Sequence, residues 1–192
     1  MKKTFIALSL IISVMLSGCF GSSDTKPADK KIEGFTLNST DEFAMQVPNE
    51  WEIFKPEELK DYVATNTLAA FRSNIRNATF TANVVVMKND ITVDMNTLDY
   101  SSALQRKMAK ELLEYKELNS GETLLTVGGT VTNSTYMYVE GKQSADSDVK
   151  RFIATAAVKG KVGYVVLGAF LPSEGEATAK KIETMIKSFE VK

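Results

Sequence analysis

Short apolar segments, each bounded by turn residues, dominate the chain from residue 34 onward. In most of them hydrophobic and polar side chains alternate, which predicts β-strands. Three pairs of strands are joined tightly enough to predict hairpins, around Ser39-Thr40-Asp41, Gly128-Gly129 and Gly160-Lys161. The predicted strands are residues 34–38, 42–47, 68–73, 80–88, 122–127, 131–140, 149–159 and 162–171.

Other segments carry apolar residues three or four positions apart, which predicts helices. Pro56, followed by two acidic residues, predicts the start of a short helix. A long helix is expected over residues 98–118, with an apolar stripe of Leu104, Met108, Leu112 and Tyr115. Ser173 and Glu176 have the spacing of a capping box and predict a last helix. Its inward positions are Thr178, Ile182, Met185, Ile186 and Phe189.

The strands at 149–159 and 162–171 are apolar on both faces, and so is the strand at 80–88. Such strands must be covered on both faces, and their tight connections require antiparallel neighbours. Two long amphipathic helices are available as covers. The expected fold class is therefore α+β, an antiparallel sheet covered by helices on both faces, in an α/β/α sandwich.

The amino-terminal segment has a different pattern. Lys2 and Lys3 precede an apolar run of 12 residues over 5–16, a length typical of a secretory signal and too short to cross a bilayer. The run closes on Leu16-Ser17-Gly18-Cys19, which resembles the lipobox of bacterial lipoproteins. That resemblance implies cleavage before Cys19 and lipidation of its thiol. We therefore expect a signal peptide at 1–18, a flexible tether at 19–33 and one globular domain at 34–192.

Composition narrows the chemistry further. Cys19 is the only cysteine and the chain has no histidine, so disulfides, serine–histidine catalysis and histidine zinc sites are excluded. The mature chain loses two of the 23 basic residues and keeps the 24 acidic ones, for a net charge of −3. A nucleic-acid partner would require a basic excess, so none is expected. The sequence also indicates no cofactor and no metal.

Three motifs in order resemble PsbP-like and Mog-like domains. Phe43-Ala44-Met45-Gln46-Val47-Pro48 followed by Trp51 is similar to the opening of that family. The strand Ala82-Asn83-Val84-Val85-Val86 and the closing segment of residues 182–189 are similar to its later motifs. The resemblance covers nearly all of residues 34–192. It implies an α/β/α sandwich and a non-enzymatic role, and it carries over no site residue.

Pairs with catalytic spacing are few. Ser-x-x-Lys occurs at Ser23 and Lys26 and again at Ser147 and Lys150, a pattern in which an amine can activate a hydroxyl nucleophile. The first copy falls in the expected tether, and the second lacks the partner motifs of such hydrolases. We therefore interpret both copies as chance matches.

Acidic and aromatic residues offer weaker candidates. Asp146 and Asp148 lack the further ligands and the glycine of a calcium loop, and Asp90, Asp94 and Asp99 are scattered, so all are expected to be solvated. Trp51 is expected to be a core anchor. Tyr136 and Tyr138 share a strand face that either meets a partner or packs under a helix.

The leading hypothesis is a membrane-anchored lipoprotein that acts as a non-enzymatic binding or assembly module for another protein in the cell envelope. Its partners would be the membrane, through lipid on Cys19, and a protein of unknown identity. The location is the outer membrane in a diderm bacterium, or otherwise the extracytoplasmic face of the cell membrane. An alternative is a lipoprotein that binds a small apolar ligand or lipid in a sheet–helix pocket. An enzyme, which would require converging carboxylates in a cleft, ranks third.

The lipobox generates a direct test. Replacement Cys19→Ser removes the acylated thiol, and at least two acyl chains are needed for stable anchoring. The variant should be released from the membrane fraction or should remain unprocessed. Cell fractionation and mass measurement of the mature amino terminus check this, and a variant that is processed and fractionates like the wild type would contradict it.

Overall fold

The computed structural model describes residues 31–59 and 65–192. The predicted signal peptide, Cys19 and most of the predicted tether lie outside the described residues. In chain order the elements are β1 (Phe35–Ser39), β2 (Phe43–Pro48), β3 (Glu52–Phe54), α1 (Pro56–Leu59), β4 (Thr67–Arg72), β5 (Asn83–Asp90), α2 (Thr97–Glu111), β6 (Leu113–Val127), β7 (Thr130–Lys142), β8 (Lys150–Lys159), β9 (Val162–Phe170), α3 (Gly175–Lys187) and β10 (Glu190–Val191). None of the described helices is long and apolar enough to cross a bilayer.

All ten described strands belong to one sheet, in the order β1-β2-β10-β6-β7-β8-β9-β5-β4-β3. Neighbours are antiparallel except β10 and β6, which run parallel. The three predicted hairpins are confirmed as β1–β2, β6–β7 and β8–β9. Gly128, Gly129 and Gly160 have positive φ in two of these turns, a conformation that glycine adopts without steric cost.

The predicted sheet covered by helices on both faces is wrong. About half of the described residues are in strands and about a fifth in helices, and the sheet curls into a half-barrel with two long helices. Large twisted sheets curl in this way, and the curl allows strands that are distant in the order to cover one another. Side chains on both faces of β8 and β9 are apolar and mostly buried, as the sequence predicts. Not every strand of the sheet has this pattern.

The helices cover different parts of the curled sheet. One core cluster gathers side chains from most strands with Ile182, Met185 and Ile186 of α3, and it lies on the concave side. The second cluster is smaller and joins Met108 of α2 to β7, β8 and β9 on the convex side. Trp51 belongs to the concave cluster, which confirms it as a core anchor.

Two glycines of β9 permit these close contacts. A Cβ at Gly168 would lie 2.2 Å from Ile182 Cγ2 of α3, and a Cβ at Gly163 would lie 2.4 Å from Tyr100 Cζ of α2. Positions 163 and 168 have opposite parity and face opposite sides of the strand. Both helices therefore rest on β9 where it has no side chain.

Hydroxyl side chains connect β7, β8 and α2 beyond the last backbone pair of β7 and β8. Ser134 Oγ donates to Ala156 O at 2.6 Å, and Thr155 Oγ1 donates to Thr135 O at 2.9 Å. Ser101 Oγ accepts from Thr135 N at 3.0 Å. These bonds satisfy backbone groups that would otherwise be left without partners in a mostly buried layer.

The predicted helix over 98–118 is too long. Helix α2 ends at Glu111, Leu112 is extended (φ −83°, ψ 129°), and the chain enters β6 at once. Tyr115 is therefore in a strand, although it still packs against the convex cluster. The apolar residues of 113–118 fit both a helical and a strand periodicity, and pairing with β7 makes the segment a strand.

The carboxy-terminal segment also differs from expectation. The capping box of Ser173 and Glu176 does not form, because a 3-10 turn over Pro172–Glu174 precedes α3. Instead, Glu174 Oε2 accepts a hydrogen bond from Leu171 N at 2.9 Å. The strand β10, which the sequence did not predict, follows the helix.

A prediction from the fold concerns the two faces of β9. Val165 and Val166 are 4% and 0% exposed, which confirms the expectation that both are buried. Truncation of either to Ala should lower the free energy of unfolding by about 1–3 kcal/mol through lost burial and a new void. Denaturant melts measure this. Val131→Ala, at a position 62% exposed, is the control and should change stability by less than about 0.5 kcal/mol. A Val165 or Val166 variant as mild as the control would contradict the packing.

A further prediction concerns Glu42, which lies just before β2 and reaches β5 and β9 across the curl. Lys88 Nζ donates to both carboxylate oxygens at 2.8 Å, and Tyr164 Oη donates to Oε2 at 3.0 Å. The hydrogen bond from Lys88 lowers the pKa of Glu42 below 4.5. Burial, with the bond to Glu42, raises the pKa of Tyr164 to about 12.

Because the folded pKa of Glu42 is lowered, its contribution is present above the ordinary pKa and is lost as pH falls through the folded one. Glu42→Gln should therefore destabilise by less than about 1 kcal/mol at pH 7, since the pair is partly exposed. The difference from wild type should shrink below pH 4.5. Urea melts across pH check this. In a Lys88→Met background the pH dependence should weaken, whereas a difference that is constant with pH would contradict the assignment.

Candidate functional site

An open groove of about 490 Å³ lies between α3 and the concave face of the sheet. We call it the tyrosine groove. Its sheet side is formed by β6, β7 and β8, and its helix side by the first three turns of α3. The lining residues are Asn119, Tyr136, Tyr138, Arg151, Ile153, Glu176, Ala177, Ala179, Lys180 and Glu183.

The alternation of β7 places both tyrosines on the floor of this groove. Tyr136 is buried, and Tyr138 is half-buried with its ring stacked near Phe170 at a centroid distance of 6.1 Å. The two tyrosines therefore pack under α3, while the groove remains open above their rings. Burial raises the pKa of Tyr136 well above its usual value, so this phenol stays neutral.

Charges of both signs line the walls. Arg151 Nε donates to Glu140 Oε2 at 2.9 Å, and this bond raises the pKa of Arg151. On α3, Lys187 Nζ lies 2.5 Å from Glu183 Oε1 and 5.6 Å from the centroid of the Tyr136 ring. The cation over the ring is a weak attractive contact at a partly exposed position. The amphipathic α3 supplies this wall because its apolar positions face the core.

A second cavity, of about 590 Å³, lies beside β10. The lysine side chains that line it form hydrogen bonds within the protein. Lys192 Nζ donates to Ser39 Oγ and to Thr40 O at 2.6 Å each. Lys159 Nζ donates to the main-chain oxygen of Lys192. These bonds hold the end of the chain in place, which leaves the tyrosine groove as the better candidate site.

The paired candidates from the sequence do not assemble into a catalytic set. Ser147 Oγ donates to Ser144 O at 2.9 Å, whereas Lys150 Nζ donates to Gln143 Oε1 at 2.9 Å and lies 4.8 Å from the centroid of the Phe80 ring. The serine and lysine therefore have separate structural roles. Ser23 and Lys26 lie outside the described residues.

The acidic candidates lie in separate parts of the structure. Asp146 and Asp148 are exposed in the β7–β8 loop, Asp94 pairs with Lys161, and Asp99 lies in the first turn of α2. In residues 31–59 and 65–192, no group of three or more acidic or cysteine side chains is placed to hold a metal ion.

The helix side of the groove was not identified from the sequence. Lys180 and Glu183 have the pattern of any solvated helix face, and Asn119 was placed next to the end of a predicted helix. The only available signal was the pair of tyrosines on one strand face. Rings and charges in an open cleft suit recognition of another surface, since aromatic residues and arginine are enriched at interfaces.

Comparison with solved structures supports the fold. The chain is similar to the cyanobacterial PsbP protein CyanoP from Synechocystis sp. PCC 6803, at 16% identity and a TM-score of 0.55, over 92% of this chain and 99% of that one. It is also similar to LpqN of Mycobacterium tuberculosis, described as involved in cell envelope biogenesis, at 13% identity and a TM-score of 0.54, over 78% and 82%.

A third similar structure is PA94 from Pseudomonas aeruginosa, a protein of unknown function and putative regulator. The identity is 11% and the TM-score 0.50, over 80% of this chain and 94% of that one. No curated protein matches the sequence. At these identities the three structures establish a shared fold. The family model described as PsbP matches residues 33–191, which is nearly all of the described domain. The chain belongs to the PsbP family.

Proposed function

We propose that this protein is a membrane-anchored lipoprotein that acts as a non-enzymatic binding or assembly module for another protein in the cell envelope. The observation that carries the proposal is the tyrosine groove, an open cleft with aromatic floor and charged walls. The lipobox at Cys19 supports the anchor, and the tether at 19–33 would hold the domain clear of the headgroups. The similarity to a structure described as involved in cell envelope biogenesis supports the location.

The groove lining favours a protein surface over a small apolar ligand. Seven of its ten lining residues are polar, charged or tyrosine. Pockets for apolar ligands are mostly apolar and bury most of the ligand, whereas protein interfaces combine aromatic anchors with a polar rim. The groove is also partly open to solvent.

Exposed residues on the two helices allow a matched test. Ala177→Arg with Lys180→Glu alters the groove wall on α3 without touching the core, and Ala109→Arg with Lys110→Glu makes the same changes on exposed positions of α2. Surface substitutions of this kind change stability little. Tagged full-length proteins would be crosslinked in cells and purified from the membrane fraction.

The α3 variant should lose the partner that the wild type captures, and the α2 variant should retain it. Quantitative mass spectrometry of the captured proteins measures the difference, and equal melting temperatures show that both variants are folded. Retention of every captured protein by the α3 variant would contradict a binding role for the groove.

A further inference from the structure

One edge of β6 is open along most of its length. The strand pairs with β7 from Leu113 to Val127, whereas on its other side β10 pairs only with Thr126 and Val127. Within the described chain, no strand pairs with residues 113–125 on that side. Alternate residues of this stretch therefore direct their backbone N–H and C=O groups away from β7, the arrangement that templates an additional strand.

The two halves of this edge differ. Between Leu113 and Asn119 the register with β7 shifts twice, and Glu114 has a positive φ of 54°. Bulges of this kind bend an edge and prevent pairing. From Asn119 to Val127 the register is continuous. Residues 119–125 carry a single charge, on Glu122. The bulges and charges that usually prevent an edge strand from pairing therefore end at Asn119.

The unprotected half borders the tyrosine groove. Asn119 lines the groove and lies opposite Tyr138, and Gly121 lies opposite Tyr136. A Cβ at Gly121 would meet no atom within 4 Å, so the concave side of the strand is open at this residue. A strand added to this edge would lie about 4.8 Å from β6, with every second side chain over the groove.

We propose that residues 119–125 of β6 and the tyrosine groove form one site that binds an extended segment of a partner protein as an added β-strand. Backbone hydrogen bonds to β6 supply affinity, and alternate aromatic or long apolar side chains of the segment contact Tyr136 and Tyr138. The other face of the segment stays in solvent. This inference rests on the proposed function and deepens it, because it identifies the partner's binding element.

The first step of the test finds the segment. A photo-crosslinking amino acid, p-benzoylphenylalanine, replaces Ser120 on the open edge in the full-length protein in cells, and Ser144 in the exposed β7–β8 loop is the matched control. Mass spectrometry of the crosslinked peptides should map the Ser120 product to one segment of a partner. The control should not give this product.

The second step measures how that segment binds. A synthetic peptide of the crosslinked segment is added to the full-length protein, and amide hydrogen exchange is followed. The outward amides of residues 119–125 have no strand partner within the described chain, so they should exchange readily in the free protein, and an added strand should slow their exchange by at least about tenfold at saturation. Contact through side chains alone would leave these amides unchanged.

Two proline variants separate the edge from the fold. Adjacent residues of a strand point their N–H groups in opposite directions, so one of Ser120→Pro and Gly121→Pro loses only an outward donor, while the other loses a hydrogen bond to β7. Thermal melting identifies the variant that keeps its stability. That variant should bind the peptide roughly tenfold more weakly, or not at all.

Each of the following outcomes would overturn the inference. A crosslink from Ser120 to a second copy of this chain would identify the edge as a self-interface. Peptide binding without protection of residues 119–125, or full binding by the stable proline variant, would exclude strand addition. Absence of a Ser120 crosslink while the α3 variant still loses a partner would overturn strand addition and leave the proposed function standing. Absence of any effect in both experiments would overturn both.

Discussion

The single sheet depends on the insertion of β10 between β2 and β6. Glu190 and Val191 pair with Ala44 and Phe43 on one side and with Thr126 and Val127 on the other. Lys192 N adds a bond to Glu42 O at 3.0 Å, and Gly128 N donates to Val191 O at 2.8 Å. Residues 190–192 therefore join the β1–β2 hairpin to the rest of the sheet through backbone hydrogen bonds.

This connection also determines the shape of the core. With β2 attached through β10, the sheet curls until Glu42 reaches Lys88 and Tyr164 on strands far along its order. The curl encloses the concave cluster, in which Phe43, Phe71, Phe170 and Phe189 are at most 1% exposed. Helix α3 must lie within this concavity because the chain passes directly from its last turn into β10. The fold therefore needs no second helix layer across its whole convex face.

The candidate site is a consequence of the same arrangement. Because β10 is only two residues long, it joins β2 and β6 at one end only. Within the described residues, β6 is therefore left with an unpaired edge over residues 113–125, and the tyrosine groove lies beside it, between α3 and the concave face of β6, β7 and β8. A groove and a free edge in contact with each other form a surface suited to an extended peptide. Ser147 and Lys150 are close in sequence and have catalytic spacing, but in the folded loop each side chain bonds to a different partner and the two do not form a pair.

Local sequence determined the features that depend on nearby residues. The hairpins follow from alternation and from their turn residues, and the inward positions Ile182, Met185 and Ile186 of α3 follow from apolar periodicity. The burial of Trp51 follows from its position after a proline turn and beside Ile53 and Phe54. The motifs at Phe43–Pro48 and 182–189 resemble those of the PsbP family. Tertiary structure decided what depends on distant pairing. Residues 113–118 form a strand because they pair with β7. Glu190 and Val191 form a strand because β2 and β6 flank them. The sheet is a curled half-barrel and not the expected sandwich, because its own strands cover one another. The groove combines Tyr136 and Tyr138 with Lys180 and Glu183, which are about 40 positions apart, and only the path of α3 back across the sheet brings them together.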